Sequence, residues 1–170
     1  NMRRLCQELG GEVVNISVDS STYFNPLDFK PDKSTDIPPY VAKAEFVLSL
    51  CEQIMKKENV LPGDRSLIDR ALRSIYKPLI ESKYTAPCPT IKDLWAALNS
   101  QGDNRSKELA LALEIFATGS MQVFAQPTNV DMSNRLICFN IQSLGEQLKP
   151  VAHAVHAGVH QYRRDEQRTQ

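Results

Sequence analysis

The sequence predicts an α+β chain that is mainly α, a helical bundle set between two strands. Three observations predict it. Apolar side chains recur at helical spacing in successive stretches between Val41 and Ala117. Two runs of strand character, Glu12 to Val18 and Leu136 to Ile141, bracket those stretches. A polar, proline-punctuated connector from Asp19 to Pro39 separates the first strand from the helices.

Met2 to Leu9 has a helical pattern that stops at Gly10-Gly11, where glycine can take the left-handed conformation that closes a helix. Glu12-Val13-Val14-Asn15-Ile16-Ser17-Val18 is rich in β-branched residues and reads as a strand. The connector carries Asn25-Pro26-Leu27-Asp28, and Pro31, Pro38 and Pro39 exclude a continuous helix through it. Beyond it, Val41, Ala44, Phe46, Val47, Leu48, Leu50, Cys51 and Ile54 form a stripe too wide for a half-exposed helix, so this helix is expected at the centre.

A second helix, from Asp64 to Ser82, is expected to open on the Ser66-Leu67-Ile68-Asp69 capping pattern, to carry Leu67, Ile68, Ala71, Leu72, Ile75, Tyr76 and Leu79, and to kink at Pro78. Thr90-Ile91-Lys92-Asp93 repeats the capping logic for a third helix, whose Leu94, Trp95 and Leu98 point inward. The expectation for Trp95 is burial against the helix that holds Phe46 and Leu50. A fourth helix, from Arg105 to Ala117, mixes large and small apolar residues as close packing requires. The return strand Leu136 to Ile141 is nearly continuous in apolar residues, as a strand covered on both faces would be. A C-terminal helix then places Val151, Val155, Val159 and Tyr162 on one side and His153, His156 and His160 on the other. These elements divide the chain into 1–36, 37–120 and 121–170.

With 42% apolar and 24% charged residues in 170, the composition is that of a folded globular chain. Its 20 basic and 20 acidic side chains cancel, so any nucleic-acid contact would have to come from a local patch. Cys6, Cys51, Cys88 and Cys138 show no metal-ligand spacing and read as reduced, mostly buried thiols. No segment has the apolar length of a membrane span, and the first residues lack the apolar core of a signal peptide. Since position 1 is Asn1, the chain is expected to be an excised piece of a longer protein.

Gly119-Ser120-Met121-Gln122-Val123-Phe124, followed by Asn129 to Ile141, resembles the stretch leading into the second nucleotide-binding strand of the VirB- and TraE-type ATPases. Those motors power conjugative DNA transfer through type IV secretion systems. Leu9 to Ser17, Asn25-Pro26-Leu27-Asp28 and Thr90 to Leu94 resemble the same family in the same order. The resemblance implies a truncated RecA-like nucleotide-binding domain with an all-α domain inserted between its Walker A helix and its Walker B strand. It follows that the two strands would lie side by side or one strand apart in a parallel sheet, with the C-terminal helix laid over them. It also implies ATP and magnesium as the cofactors of the parent family, hexamers of the full motor, and other subunits of a secretion machine as partners. The location implied is cytoplasmic, at the inner face of the membrane, without direct membrane insertion.

The chemistry of such a motor is missing from these residues. No G-x-x-x-x-G-K-[ST] occurs to hold phosphates, and no apolar strand ends in the acidic residues that hold magnesium. Asp165-Glu166 follows Arg163-Arg164 in polar surroundings and reads as a solvated helix end. The chain alone is therefore expected to be catalytically inactive, with no cofactor of its own. His153, His156 and His160 have the spacing to share a zinc or nickel ion, but with three ligands and no carboxylate or thiol at the neighbouring turns a solvated polar face is the simpler reading. Arg65, Arg70, Arg73 and Lys77 recur on the second helix, with Asp64, Asp69 and Glu81 between them, and are the candidates for partner binding. Two roles follow from these observations. One is the helical insertion of a secretion ATPase that packs against neighbouring subunits or the channel; the other is a free-standing adaptor that binds a protein or single-stranded DNA. The isolated chain is expected to be a monomer or weak dimer.

Overall fold

The computed structural model describes residues 2–15, 17, 21–31, 36–130 and 137–140. Helix α1, Met2–Glu8, ends as its glycines require: Gly10 sits at φ 75 and the Gly11 N–H reaches back to the Cys6 carbonyl at 2.8 Å. Strand β1, Glu12–Asn15, pairs in parallel with strand β2, Ile137–Asn140, in the register Val13 to Cys138 and Val14 to Phe139. The expected side-by-side placement holds, and the Asn140 amide donates to Asn15 Oδ1 across the pair at 2.8 Å. Of the predicted strand residues, Ile16, Val18, Leu136 and Ile141 lie outside the described residues, as does the expected C-terminal helix. Helix α1 packs on both strands, and Val14, only 3% exposed, joins the core shared with the bundle.

Between the strands run α2, Pro39–Met55, α3, Asp64–Glu81, α4, Ile91–Ser100, and α5, Asn104–Ala117. Pro39 occupies the first helical position of α2, where the N–H it lacks has no partner anyway. The start of α3 corrects the sequence reading. Gly63, not Ser66, is its N-cap, and Asp69 pairs with Arg73 instead of serving a cap. Pro78 falls in the last turn of α3, which continues through it to Glu81. In α4 the predicted capping box forms, with the Thr90 N–H donating to Asp93 Oδ2 at 2.8 Å. Asp103 caps α5 by accepting from the Ser106 N–H at 2.7 Å. At its far end Gly119 lies so close to the Ile115 backbone that a Cβ would sit 2.8 Å from the Ile115 Cα, so the turn excludes any larger residue.

Helices α4 and α5, joined by a short turn, pack on each other, α2 packs on α3, and both α3 and α5 meet each of the other bundle helices. The centre is thus α3 and α5, and the expectation for α2 is corrected. Its stripe is wide because it faces two neighbours, yet Val41 remains 45% exposed at its edge. Tyr76, Leu98, Leu109 and Phe116 are fully buried. Trp95 is only partly buried, packed against the flank of this core, because Leu94 and Leu98 take the inward-facing positions of its short helix.

The chain enters and leaves the bundle along one seam. The Phe24 N–H donates to the Val123 carbonyl at 3.3 Å, and the Asn129 N–H to the Tyr23 carbonyl at 3.2 Å. Asn129 Oδ1 accepts from the Tyr23 N–H at 2.7 Å while its amide donates to the Ser21 carbonyl at 2.8 Å. At the centre lies Asn25, 1% exposed. Its amide donates to the Pro89 carbonyl at 2.9 Å and to Asp28 Oδ1 at 3.2 Å; its Oδ1 accepts from the Leu27 N–H at 3.0 Å; its own N–H donates to Thr128 Oγ1 at 2.9 Å. The buried Tyr76 hydroxyl then fixes the Leu27 carbonyl to α3.

Asn25→Ala should cost about 3 kcal/mol in urea denaturation, since it strands the Leu27 N–H and the Pro89 carbonyl away from water. A loss under about 1 kcal/mol would show that the seam is held by its backbone alone. Leu98→Ala should cost about 2–5 kcal/mol and exceed the loss from Trp95→Ala, the reverse of what residue size alone would give. In hydrogen exchange, the amides of Val13 to Asn15 should open before those of Leu109 to Phe116, because the strand pair depends on so few bonds.

Candidate functional site

The charges of α3 divide between two faces. Asp64 points inward and is 1% exposed. Arg105 of α5 grips it through two bonds, Nε to Oδ1 at 2.8 Å and Nη2 to Oδ2 at 2.7 Å, and the Leu61 N–H adds a third at 2.8 Å. The same guanidinium donates to the Asn59 carbonyl at 2.8 Å and to Glu108 at 2.7 Å. One arginine therefore ties the start of α3, the loop before it and the first turn of α5. The Arg105 bonds hold the Asp64 carboxyl below its usual range. This pair is structural, and Asp64 leaves the set of surface charges that the sequence interleaves with the arginines.

The other face carries the four candidate cations. Arg65 forms an ion pair with Glu45 of α2. Arg70 donates from Nη1 to Gln101 Oε1 at 3.3 Å. Arg73 donates from Nε to Asp69 at 2.9 Å, with its guanidinium 4.6 Å from the centre of the Tyr40 ring. Lys77 lies 3.7 Å from Glu81. Arg65, Arg70 and Arg73 join Ser66 and Asp69 around one open concavity of about 480 Å³, whereas Lys77 lies outside its lining. The structure thus brings together three of the four residues. Solvent-exposed pairs of this kind are worth about 0–1 kcal/mol, so an arriving anion can exchange with them at little cost.

His153, His156 and His160, together with Asp165 and Glu166, lie outside the described residues. Among the described residues no group of His, Cys, Asp and Glu has the geometry to hold a metal ion, and no helix is long and apolar enough to cross a membrane. All four cysteines are free thiols. Cys6 and Cys51 are buried, and burial pushes the Cys51 thiol up to about 12, which makes it inert at neutral pH. Cys88 is half-buried and exchanges weak bonds with the Phe29 backbone, its Sγ accepting from the N–H and donating to the carbonyl at 3.5 Å.

Sequence reasoning missed the partners of the arginines that line the concavity. Tyr40, Glu45 and Gln101 come from α2 and the end of α4, and no spacing along the chain announces that they meet α3. Asn25 and Asn129 entered the sequence reading only as parts of stretches that resemble the ATPase family, and no spacing along the chain announces that they bind the entering and leaving segments together.

Asp64→Asn should destabilise the chain by about 3 kcal/mol at pH 7, because it leaves the Arg105 guanidinium facing an uncharged partner. A depressed carboxyl stabilises above the unfolded pKa of about 3.9 and ceases to do so as pH falls through the lower folded value. The gap between wild type and Asp64→Asn should therefore close below about pH 4 in a pH series of urea melts. A gap that stayed constant into strong acid would show that the charge of Asp64 is not what matters.

No known family's sequence model matches this chain, and no curated protein matches it. Among solved structures, VirB4 of Thermoanaerobacter pseudethanolicus superposes with a TM-score of 0.68 at 19% identity. The match covers 92% of this chain and 43% of that one, so the chain spans less than half the length of that relative. The strand, helical bundle and returning parallel strand are accordingly a fold that this chain shares with part of VirB4.

Proposed function

We propose that this chain is the all-α insertion, with its two flanking strands, of a conjugative type IV secretion ATPase. The observation that carries the reading is the parallel pairing of β1 with β2 across the whole bundle. Parallel pairs are almost always interior parts of larger sheets covered on both faces, and a helical unit that begins and ends on adjacent parallel strands is an insertion into such a sheet. The fold shared with VirB4 and the ordered sequence resemblance to the VirB- and TraE-type motors support the same reading.

In this reading the phosphate-binding loop and the magnesium-holding acidic strand belong to other parts of the motor, which binds ATP and magnesium and works as a hexamer at the inner face of the membrane. The helical unit makes contacts with neighbouring subunits or with the secretion channel. A Walker A sequence encoded just before Asn1, and a strand ending in acidic residues encoded just after Gln170, is the expected result of reading the flanking coding DNA. Flanks that encode neither would overturn the motor and leave the free-standing adaptor. The chain alone should show only background ATP hydrolysis and scatter light as a monomer or weak dimer; magnesium-dependent turnover abolished by a point substitution would contradict the assignment of the chemistry elsewhere.

A further inference from the structure

The concavity on α3 has features that a merely solvated face does not need. Arg73 is held from two directions, stacked on Tyr40 and bonded through Nε to Asp69, and among the described residues its two Nη atoms meet no acceptor. A guanidinium fixed in this way presents the flat edge that matches a carboxylate. Among the described residues the hydrogen-bond partner of Arg70 is the neutral Gln101 side chain at 3.3 Å, with the Asp103 carboxylate near enough to feel its charge, and Gln101 is itself anchored by donating to the Leu67 carbonyl at 3.0 Å. Arg65 completes the set through Glu45, an exposed pair that is easily exchanged. Apolar surface adjoins these cations. Val41, one helical turn before Glu45, is 45% exposed, and Ile37, just ahead of Tyr40, is 50% exposed.

We propose that this α2–α3 face is a docking site for an acidic segment of a partner protein, its carboxylates taken by Arg65, Arg70 and Arg73 and its apolar side chains by Val41 and Ile37. The proposal deepens the contact role argued above, and it rests on that reading only for the machine in which the partner would sit. Charge and composition favour a protein over a nucleic acid. Asp69 and Glu45 offset two of the three arginines, which leaves too little uncompensated charge for a phosphate backbone; Arg73 already occupies a face of the Tyr40 ring on which a base could stack. Arginine and tyrosine beside exposed aliphatic side chains is instead the composition of protein interfaces.

The test is fluorescence anisotropy on the full chain with a labelled peptide of Glu and Asp residues interspersed with Leu, at low and at physiological salt. Binding is expected at low salt, weaker as salt rises, and reduced about tenfold or more in Arg70→Glu and Arg73→Glu, while Lys92→Glu on the exposed face of α4 leaves it unchanged. Circular dichroism and thermal melts of each variant establish that the fold is retained. Val41→Ser should weaken binding without altering its salt dependence, which separates a docking surface from simple ion exchange. No peptide binding at low salt, or equal losses in Lys92→Glu, would overturn the proposal. So would an oligo-dT strand that binds more tightly than the peptide and is lost with Arg70→Glu and Arg73→Glu, since the face would then serve nucleic acid. These outcomes leave the flanking-DNA result untouched, so the docking site can fail while the motor assignment stands.

Discussion

A helical unit attached to a sheet by its two ends has to bring those ends together, and here the closure is a seam of hydrogen bonds centred on Asn25. The hydrogen bonds of Asn25 reach the outgoing chain at Thr128, the α3–α4 connection at Pro89 and its own turn at Leu27 and Asp28. Every polar atom of its side chain is used, which is what allows it to be 1% exposed without penalty. The pairing of β1 with β2 follows from this seam. Two four-residue strands form too small a ladder to hold themselves together, and a parallel pair cannot be joined by a tight turn. The bundle serves as their crossover connection, and the seam delivers both strands in register.

The same side-chain types carry different energies on the two faces of α3. Asp64 and Arg105 meet where the carboxylate is removed from water, and their two-pronged geometry with the Leu61 N–H satisfies what burial would otherwise leave unpaired. Arg65, Arg70 and Arg73 sit in solvent with partners that contribute little to stability. Pairs of the first kind constrain the fold; those of the second kind leave arginines positioned but available. Tyr40 adds the positioning without adding negative charge, and in this way a helix that is electrically mixed along its length acquires a locally usable cationic edge.

The sequence by itself determined the order and type of the elements, because each has a local cause. Periodic apolar residues produce four helices, Gly10 ends α1, Thr90 and Asp93 build the cap of α4, and the β-branched run at Glu12 makes β1. It also determined that the phosphate-binding loop is absent, since that loop is a contiguous motif. Tertiary structure decided whatever depends on which surfaces meet. It placed α3 and α5 at the centre instead of α2, moved Trp95 to the flank, and buried the Asp64 carboxylate by giving it Arg105, forty-one positions away, as its partner. It put Asn25 at the centre of the seam, and it gave the three arginines that line one concavity their partners Tyr40, Glu45 and Gln101. The physical reason is common to these cases: helical periodicity and caps are interactions between near neighbours, whereas burial and ion pairing are settled by residues that only the folded chain brings together.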